Sequence, residues 1–177
     1  MPGRGIVASY GVRFWVLVVA VGLGAGLGGA ALIELLRLVQ HVAWSYHSGD
    51  FLDGVKRTSS ARRVLVLFVG GVVAGGGALA LSRFSASEVS EAIWLRGARV
   101  PFWASIARGV HSIVIVALGA SLGREAAPQQ AGAAVASALS EWAQLPDWQR
   151  RLLVACGAGA GMAAVYNVPL GGALFAL

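Results

Sequence analysis

Long runs of apolar residues, separated by short polar segments, dominate the pattern along the chain. The first run, residues 14–33, is uncharged and about long enough to span a bilayer. It continues into Glu34 without an Ala-x-Ala-like cleavage site, so we interpret it as a retained span and not as a signal peptide. A polar segment over residues 47–60 predicts an extramembrane loop, and a second span is predicted over residues 64–81.

The later apolar segments are shorter and interrupted. Helices are predicted over residues 85–95, 102–122, 126–139 and 152–165, and Asn167-Val168-Pro169 separates the last of them from one more helix over residues 170–177. Several are too short to cross a hydrocarbon core of about 30 Å at roughly 1.5 Å per residue. Short helices broken at Gly or Pro are typical of transporters whose binding site is formed by helix ends near the midplane. Glycines four residues apart also suit close helix packing: Gly22/Gly26, Gly24/Gly28, Gly71/Gly75 and Gly157/Gly161.

Composition and charge favour the same class of protein. The chain is 57% hydrophobic and only 12% charged, against about 25% charged in an ordinary globular domain, which leaves too little polar surface for a water-soluble fold. The net charge of +6 would suggest nucleic acid in a soluble protein. The basic residues lie mostly at the borders of the apolar runs, however, where they suit lipid headgroups: Arg4, Arg13, Lys56, Arg57, Arg62, Arg63, Arg150 and Arg151. We therefore predict an all-α integral membrane protein that contacts lipid and binds no nucleic acid.

The charged turn Gly123-Arg124-Glu125 carries the candidate chemistry. A glutamate between two apolar segments is costly in a membrane and marks a candidate functional residue. It precedes a predicted helix, whose N-terminal N–H groups stabilise a carboxylate and bind anions. Glu125 would then compete with an anion and leave when protonated, which would couple anion flow to protons. Alternatively, Glu125 caps its own helix beside Arg124, and the residues alone leave both interpretations open.

Two segments resemble signatures of the CLC family of chloride channels and proton/chloride antiporters. Residues 123–132 are similar to the family's Gly-Arg-Glu-Gly-Pro motif. Residues 157–175, a Gly/Ala-rich helix that leads into an Asn-x-Pro-Leu break, resemble its next signature. The resemblance extends roughly from the first span to the end of the chain. It implies that Glu125 is the gating glutamate and that Gly123, Arg124 and Ala126 surround a helix N-terminus that presents amides to the anion.

The sequence departs from the family pattern at two places. Ala126-Ala127-Pro128 stands where the family has Gly-Pro, so the proline comes one position late. The family's first anion motif, Gly-Ser-Gly-x-Pro, corresponds to residues 83–88, which contain neither glycine nor proline. Ser85, with Glu88 three positions on, also has the spacing of a helix N-cap. It is the nearest candidate for the anion-binding serine, although strict spacing from Glu125 places Phe84 there.

The resemblance also implies an architecture and a function for the whole chain. The family has two inverted halves, and the Gly-x-Phe-x-Pro loop and pore tyrosine of its later half do not occur in these 177 residues. We therefore expect residues 1–177 to form a single transmembrane domain, the N-terminal half of the CLC inverted-repeat fold, cut short by truncation or an incomplete gene. The expected function is chloride transport, as a voltage-gated channel or proton-coupled antiporter, and not an enzymatic reaction. We expect bound chloride, no metal or other cofactor, a homodimer at full length and a multi-pass location in a bacterial inner membrane or its equivalent.

Two other classes of protein stay open. Half of an unrelated secondary transporter would share the broken helices but not the two motifs. Residues 119–123 faintly resemble the Gly-x-Ser-Gly of rhomboid intramembrane proteases, with Ser121 as nucleophile and His111 or His41 as base. The glycine after the serine is missing, and His111 lies ten residues away on the same segment. A Ser–His pair needs hydrogen-bond reach, which disfavours this interpretation.

Overall fold

The computed structural model describes residues 11–45, 51–83 and 97–176. Helices account for nearly all of these ranges and no strand occurs within them, which confirms the prediction of an all-α fold. The helices are α1 (Val12–Trp44), α2 (Phe51–Arg57), α3 (Ser60–Leu81), α4 (Phe102–Ala117), α5 (Ala126–Trp142), α6 (Asp147–Tyr166) and α7 (Pro169–Phe175). The helix predicted over residues 85–95 lies outside the described residues.

Two of the described helices, α1 with 33 residues and α3 with 22, are long and apolar enough to cross a membrane by length and composition. The prediction ended the first span at residue 33, but α1 continues to Trp44. Glu34 and Arg37 lie on its exposed side and form an ion pair at 2.7 Å, so their charges do not interrupt the helix. The predicted polar loop is also partly wrong, because α2 forms within it and Phe51 packs edge-on against Trp44, with 5.8 Å between ring centroids.

The centre of the fold is the pair α5 and α6, with α1 packed across both. The two helices touch at glycines: a Cβ on Gly132 would meet the carbonyl oxygen of Gly157, and one on Gly157 would meet that of Gly132. Gly161 approaches the backbone of Pro128 in the same way, so the predicted pair Gly157/Gly161 lies at a helix contact. The other three predicted pairs are largely wrong, because most of their members have nothing within 4 Å of an added Cβ: Gly22, Gly26, Gly28, Gly71 and Gly75.

Several basic residues at the borders of the apolar runs bind backbone carbonyl groups of the protein. Arg150 is 6% exposed, and its side chain donates to the carbonyl oxygens of Gly97 and Leu145, at 3.4 and 3.2 Å. Arg62 donates to the carbonyl oxygens of residues 42 and 43 at the end of α1, and Arg63 to those of residues 56 and 58. A guanidinium has five N–H donors in a fixed plane, so it can satisfy several carbonyl groups at helix ends.

The connection that leads to the candidate site begins earlier than predicted. The helix predicted over residues 102–122 ends at Ala117, where the indole of Trp44 donates to the Ala117 carbonyl oxygen at 3.0 Å. Gly119 follows with a φ of +104°, a conformation that favours glycine. Residues 118–125 therefore form a non-helical connection that brings the chain to the start of α5.

Candidate functional site

The turn Gly123-Arg124-Glu125 lies where α5 begins and α6 ends. Glu125 is the N-cap residue of α5, but its side chain makes no capping hydrogen bond to the helix. Pro128 occupies the third helical position, where its missing N–H costs the helix nothing. The helix-capping alternative for Glu125 is therefore not the arrangement that this structure adopts. The carboxylate belongs to the residue at the N-terminus of α5 but accepts no hydrogen bond from the first amides of that helix.

The partner of the carboxylate comes from α6. Its last residue, Tyr166, donates its hydroxyl to Glu125 Oε2 at 3.1 Å. The guanidinium carbon of Arg124 lies 5.9 Å from the centre of the Tyr166 ring, within the range of a cation–π contact. The turn and the end of α6 thus form one small cluster, in which the phenol of Tyr166 contacts both the carboxylate of Glu125 and the guanidinium of Arg124.

Gly123 provides the space that this arrangement needs. A Cβ built on Gly123 would collide with the carboxylate of Glu125, so the glutamate side chain folds back over the glycine. Glu125 is half-buried, whereas Gly123, Arg124 and Ala126 are exposed. The described chain therefore brings the predicted gating glutamate and three of the predicted anion-binding residues together at one turn. The remaining anion-binding candidate, Ser85, lies outside the described residues.

A cavity of about 530 Å³ lies between the start of α5, α4 and the end of α3. Ala126 and Ala127 form part of its wall, so the first turn of α5 borders both the cavity and the Glu125 cluster. The guanidinium of Arg108 donates to the carbonyl oxygen of Leu81 at 3.3 Å, which places a positive charge in the cavity wall. The polar side chains that line the cavity are Ser82, Arg108, His111, Ser112 and Gln130.

The serine-protease alternative finds no support in this geometry. Ser121 is exposed on the connection between α4 and α5, while the ring of His111 packs against Gly77 of α3. Nδ1 of His41 lies 2.7 Å from the Arg37 carbonyl oxygen. Over the described ranges, no hydrogen bond joins Ser121 to either histidine. The same ranges hold no cluster of three or more His, Cys, Asp or Glu residues that could bind a metal ion.

Tyr166 is the site residue that the sequence analysis missed. It is 41 residues from Glu125 along the chain, and no spacing rule links the two. The only signal was its position directly before Asn167, which has a left-handed backbone (φ 54°) and ends α6. Arg108 was missed for a different reason: a single arginine inside an apolar segment does not reveal which neighbouring carbonyl groups it will reach.

Broken helices that meet around a charged turn are typical of membrane transporters and channels. Comparison with known proteins identifies the family: a sequence model of the voltage gated chloride channel family matches residues 70–177. The chain belongs to this family, which confirms the predicted CLC membership and decides against an unrelated secondary transporter.

Individual relatives extend the similarity over most of the chain. The voltage-gated ClC-type chloride channels ClcB of Shigella flexneri and of Escherichia coli O139:H28 (strain E24377A / ETEC) are each 29% identical to it over 170 residues. The alignments cover 92% of this chain and 40% of each relative, so the chain spans less than half of the length of these curated relatives. No solved structure matches the chain.

Proposed function

We propose that the protein containing this chain transports chloride across a membrane and that Glu125 is its gate. The observation that carries the proposal is the position of the Glu125 carboxylate, which lies next to the N-terminus of α5 without capping it. Membership of the voltage gated chloride channel family and the names of the ClcB relatives support chloride as the ion. A bacterial inner membrane, a homodimer and contact with lipid belong to the same proposal.

The gate would work by competition between two anions for one positive end of a helix. The unpaired N–H groups at a helix N-terminus carry a partial positive charge and bind anions, whether a carboxylate or a halide. In one position the ionised Glu125 side chain binds these amides and excludes chloride. In the other it lies over Gly123, as in this structure, and chloride takes its place near Ala126.

Protons act on the gate by binding to the Glu125 carboxylate. Protonated Glu125 carries no charge and loses its attraction to the amides, so acidification favours chloride at the site. A glutamate that takes up a proton when displaced and releases it on return would also exchange protons for chloride. We propose chloride as the transported ion and protons as its regulator or counter-substrate, with Arg124 setting the local field and Ser85 as a further anion-binding residue.

The test is chloride flux against pH for Glu125→Gln in the full-length gene product, reconstituted in liposomes. Glutamine has nearly the same shape but stays neutral at every pH, so it mimics the displaced, protonated gate. We expect flux equal to or above that of the wild type and the loss of most of its pH dependence. Glu141→Gln is the matched control, because Glu141 is an exposed glutamate at the other end of the same helix and should leave the profile unchanged.

A purely structural role for Glu125 predicts a different result. Weakening of its hydrogen bond with Tyr166 would cost about 0.5–1.5 kcal/mol of stability, so the variant would melt earlier but keep the pH profile of the wild type. Flux must therefore be normalised to folded protein. Superimposable profiles for the wild type and Glu125→Gln would refute the gate.

A further inference from the structure

The side chain of Tyr166 contacts the proposed gate from a different helix, and this contact suggests a second component of gating. We propose that Tyr166 is a positioning residue that holds the ionised Glu125 carboxylate away from the N-terminal amides of α5. The inference rests on the proposed function, since it concerns the same glutamate. Its geometric basis is the hydrogen bond from the Tyr166 hydroxyl to Glu125 Oε2, at 3.1 Å.

The phenol is presented by a fixed part of the backbone. The left-handed conformation of Asn167 ends α6, and the N–H of Val168 turns back to the carbonyl oxygen of Ala163 at 3.2 Å. Val165, immediately before the tyrosine, is buried against the rest of the fold. The ring of Tyr166 itself is 46% exposed, so its position depends on these neighbours and on the contact with Arg124. The backbone that carries the phenol is thus defined by its own contacts, and the Arg124 contact helps to position the ring.

The charged and titratable groups around the turn determine how strongly the ionised Glu125 carboxylate is attracted to the N-terminal amides of α5. Arg124 lies on the same side as the tyrosine, over its ring. Arg108 and His111 of α4 line the cavity that also contacts Ala126. The helix end and the Arg108 charge both attract an ionised carboxylate toward the amides. A hydrogen bond from Tyr166 stabilises the position of the carboxylate over Gly123. It therefore keeps the gate open in a fraction of the molecules in which Glu125 is ionised.

The consequence is a specific change in the pH profile of transport. Without the hydroxyl, the ionised carboxylate returns to the amides more often, so chloride flux falls at alkaline pH. At acidic pH the gate is open by protonation and needs the hydroxyl less. Tyr166→Phe should therefore raise the ratio of acidic to alkaline flux by about fivefold, a scale set by one hydrogen bond to a charged group in a partly exposed site.

The experiment measures chloride flux at acidic and alkaline pH in the full-length gene product for Tyr166→Phe. Trp103→Phe is the control for an aromatic replacement, because Trp103 is 80% exposed on α4, and its ratio should match the wild type. The same change in a Glu125→Ala background should have no effect on the ratio, since no carboxylate is left to hold. A second readout is the infrared band of the Glu125 carboxylate, which is assigned by its loss in Glu125→Gln. We expect this band to shift in Tyr166→Phe.

The outcomes separate this inference from the proposed function. An unchanged flux ratio and an unshifted band in Tyr166→Phe would overturn the positioning role of the tyrosine. The proposal that Glu125 is the gate would still stand if flux through Glu125→Gln were independent of pH. A uniform loss of flux that persists in the Glu125→Ala background would also overturn it, because the tyrosine would then act on the path or the fold and not through the glutamate. A Glu125→Gln profile equal to the wild type would refute the gate itself.

Discussion

Arg150 is the only buried charged side chain among the described residues, and it holds together three parts of the chain. Its guanidinium joins the segment before α4, the turn between α5 and α6, and the first turn of α6. A buried charge is tolerated when its donors find acceptors. Two backbone carbonyl groups and Asp147 accept from the two terminal nitrogens, while the buried Nε has no hydrogen-bond partner. Arg150 thus connects the two central helices to the element that precedes the candidate site.

Arg150→Ala should therefore destabilise the protein by roughly 2–4 kcal/mol, because it leaves the carbonyl groups of Gly97 and Leu145 without their donor. The neighbouring Arg151 is exposed, so Arg151→Ala is the matched control and should change stability by less than about 0.5 kcal/mol. Thermal melts of the full-length protein in detergent measure both. Equal melting temperatures for the two variants would show that the buried contacts contribute nothing.

At the same scale, the sequence could predict the position of Glu125 but not its partner. A charged turn inside an apolar pattern is visible from residue types alone, because ionised groups are expensive in a membrane. The contact with Tyr166 depends on how far α6 extends before it breaks and on the angle at which it meets α5. Neither quantity is encoded by the spacing of the two residues. The burial of Arg150 was mispredicted for the same reason, since a basic residue at the edge of an apolar run suits headgroups and carbonyl groups equally well.

At the scale of the elements, contact between α5 and α6 depends on glycine. At the crossing, the backbones approach so closely that Gly132 and Gly157 each face the other's carbonyl oxygen. Gly159 on the other side of α6 faces the carbonyl oxygen of Gly172 in α7 in the same way. Since helices in lipid associate largely through close packing, this set of glycines fixes the distance between the three helices that position the candidate site.

Gly132→Ala is expected to cost roughly 1–3 kcal/mol, since the added methyl group must push two backbones apart. Because the start of α5 would move with the helix, the pH dependence of flux should weaken as well. Gly22→Ala in α1 is the control: an added Cβ meets nothing within 4 Å there, and alanine favours the helix by up to about 1 kcal/mol. Melting temperature and flux are measured on the same preparations, and a stable Gly132→Ala with a normal profile would contradict the argument.

The existence of the helices was easier to predict than their ends. Apolar runs and the Asn167-Val168-Pro169 break were readable because hydropathy and proline act locally. The end of α4 was not, since it depends on the indole of Trp44, which reaches the Ala117 carbonyl from 73 residues away. The short α2 was missed because seven residues of mixed polarity form a helix only when they pack against another element.

At the scale of the whole molecule, the described chain leaves one side of the candidate site open. Ala126 and Arg124 are exposed, as are Tyr166 and the apolar side chains of Leu170 and Leu174 in α7. An anion path through a membrane needs a wall on every side, because chloride in contact with hydrocarbon is strongly disfavoured. On the proposed function, the described surface would supply one part of such a path.

Residues 1–177, purified and reconstituted alone, are accordingly expected to give no selective chloride flux. The chain covers 40% of its ClcB relatives, so the full-length gene product, assayed in the same vesicles, is the positive control. The measurement is chloride release at several pH values with equal amounts of inserted protein. Selective, pH-dependent flux from residues 1–177 alone would show that the exposed surface already forms a complete path.

The glycines between α5 and α6 also have a consequence for the stability of these helices in the membrane. Glycine and alanine let the backbones approach, but they contribute little hydrophobicity, and neither helix is among those apolar enough to cross a membrane alone. α1 and α3 carry that hydropathy and are translated first. We therefore expect α5 and α6 to depend on packing against each other and against α1 to remain in the bilayer. The glycines that shape the site thereby make the membrane stability of these two helices dependent on α1.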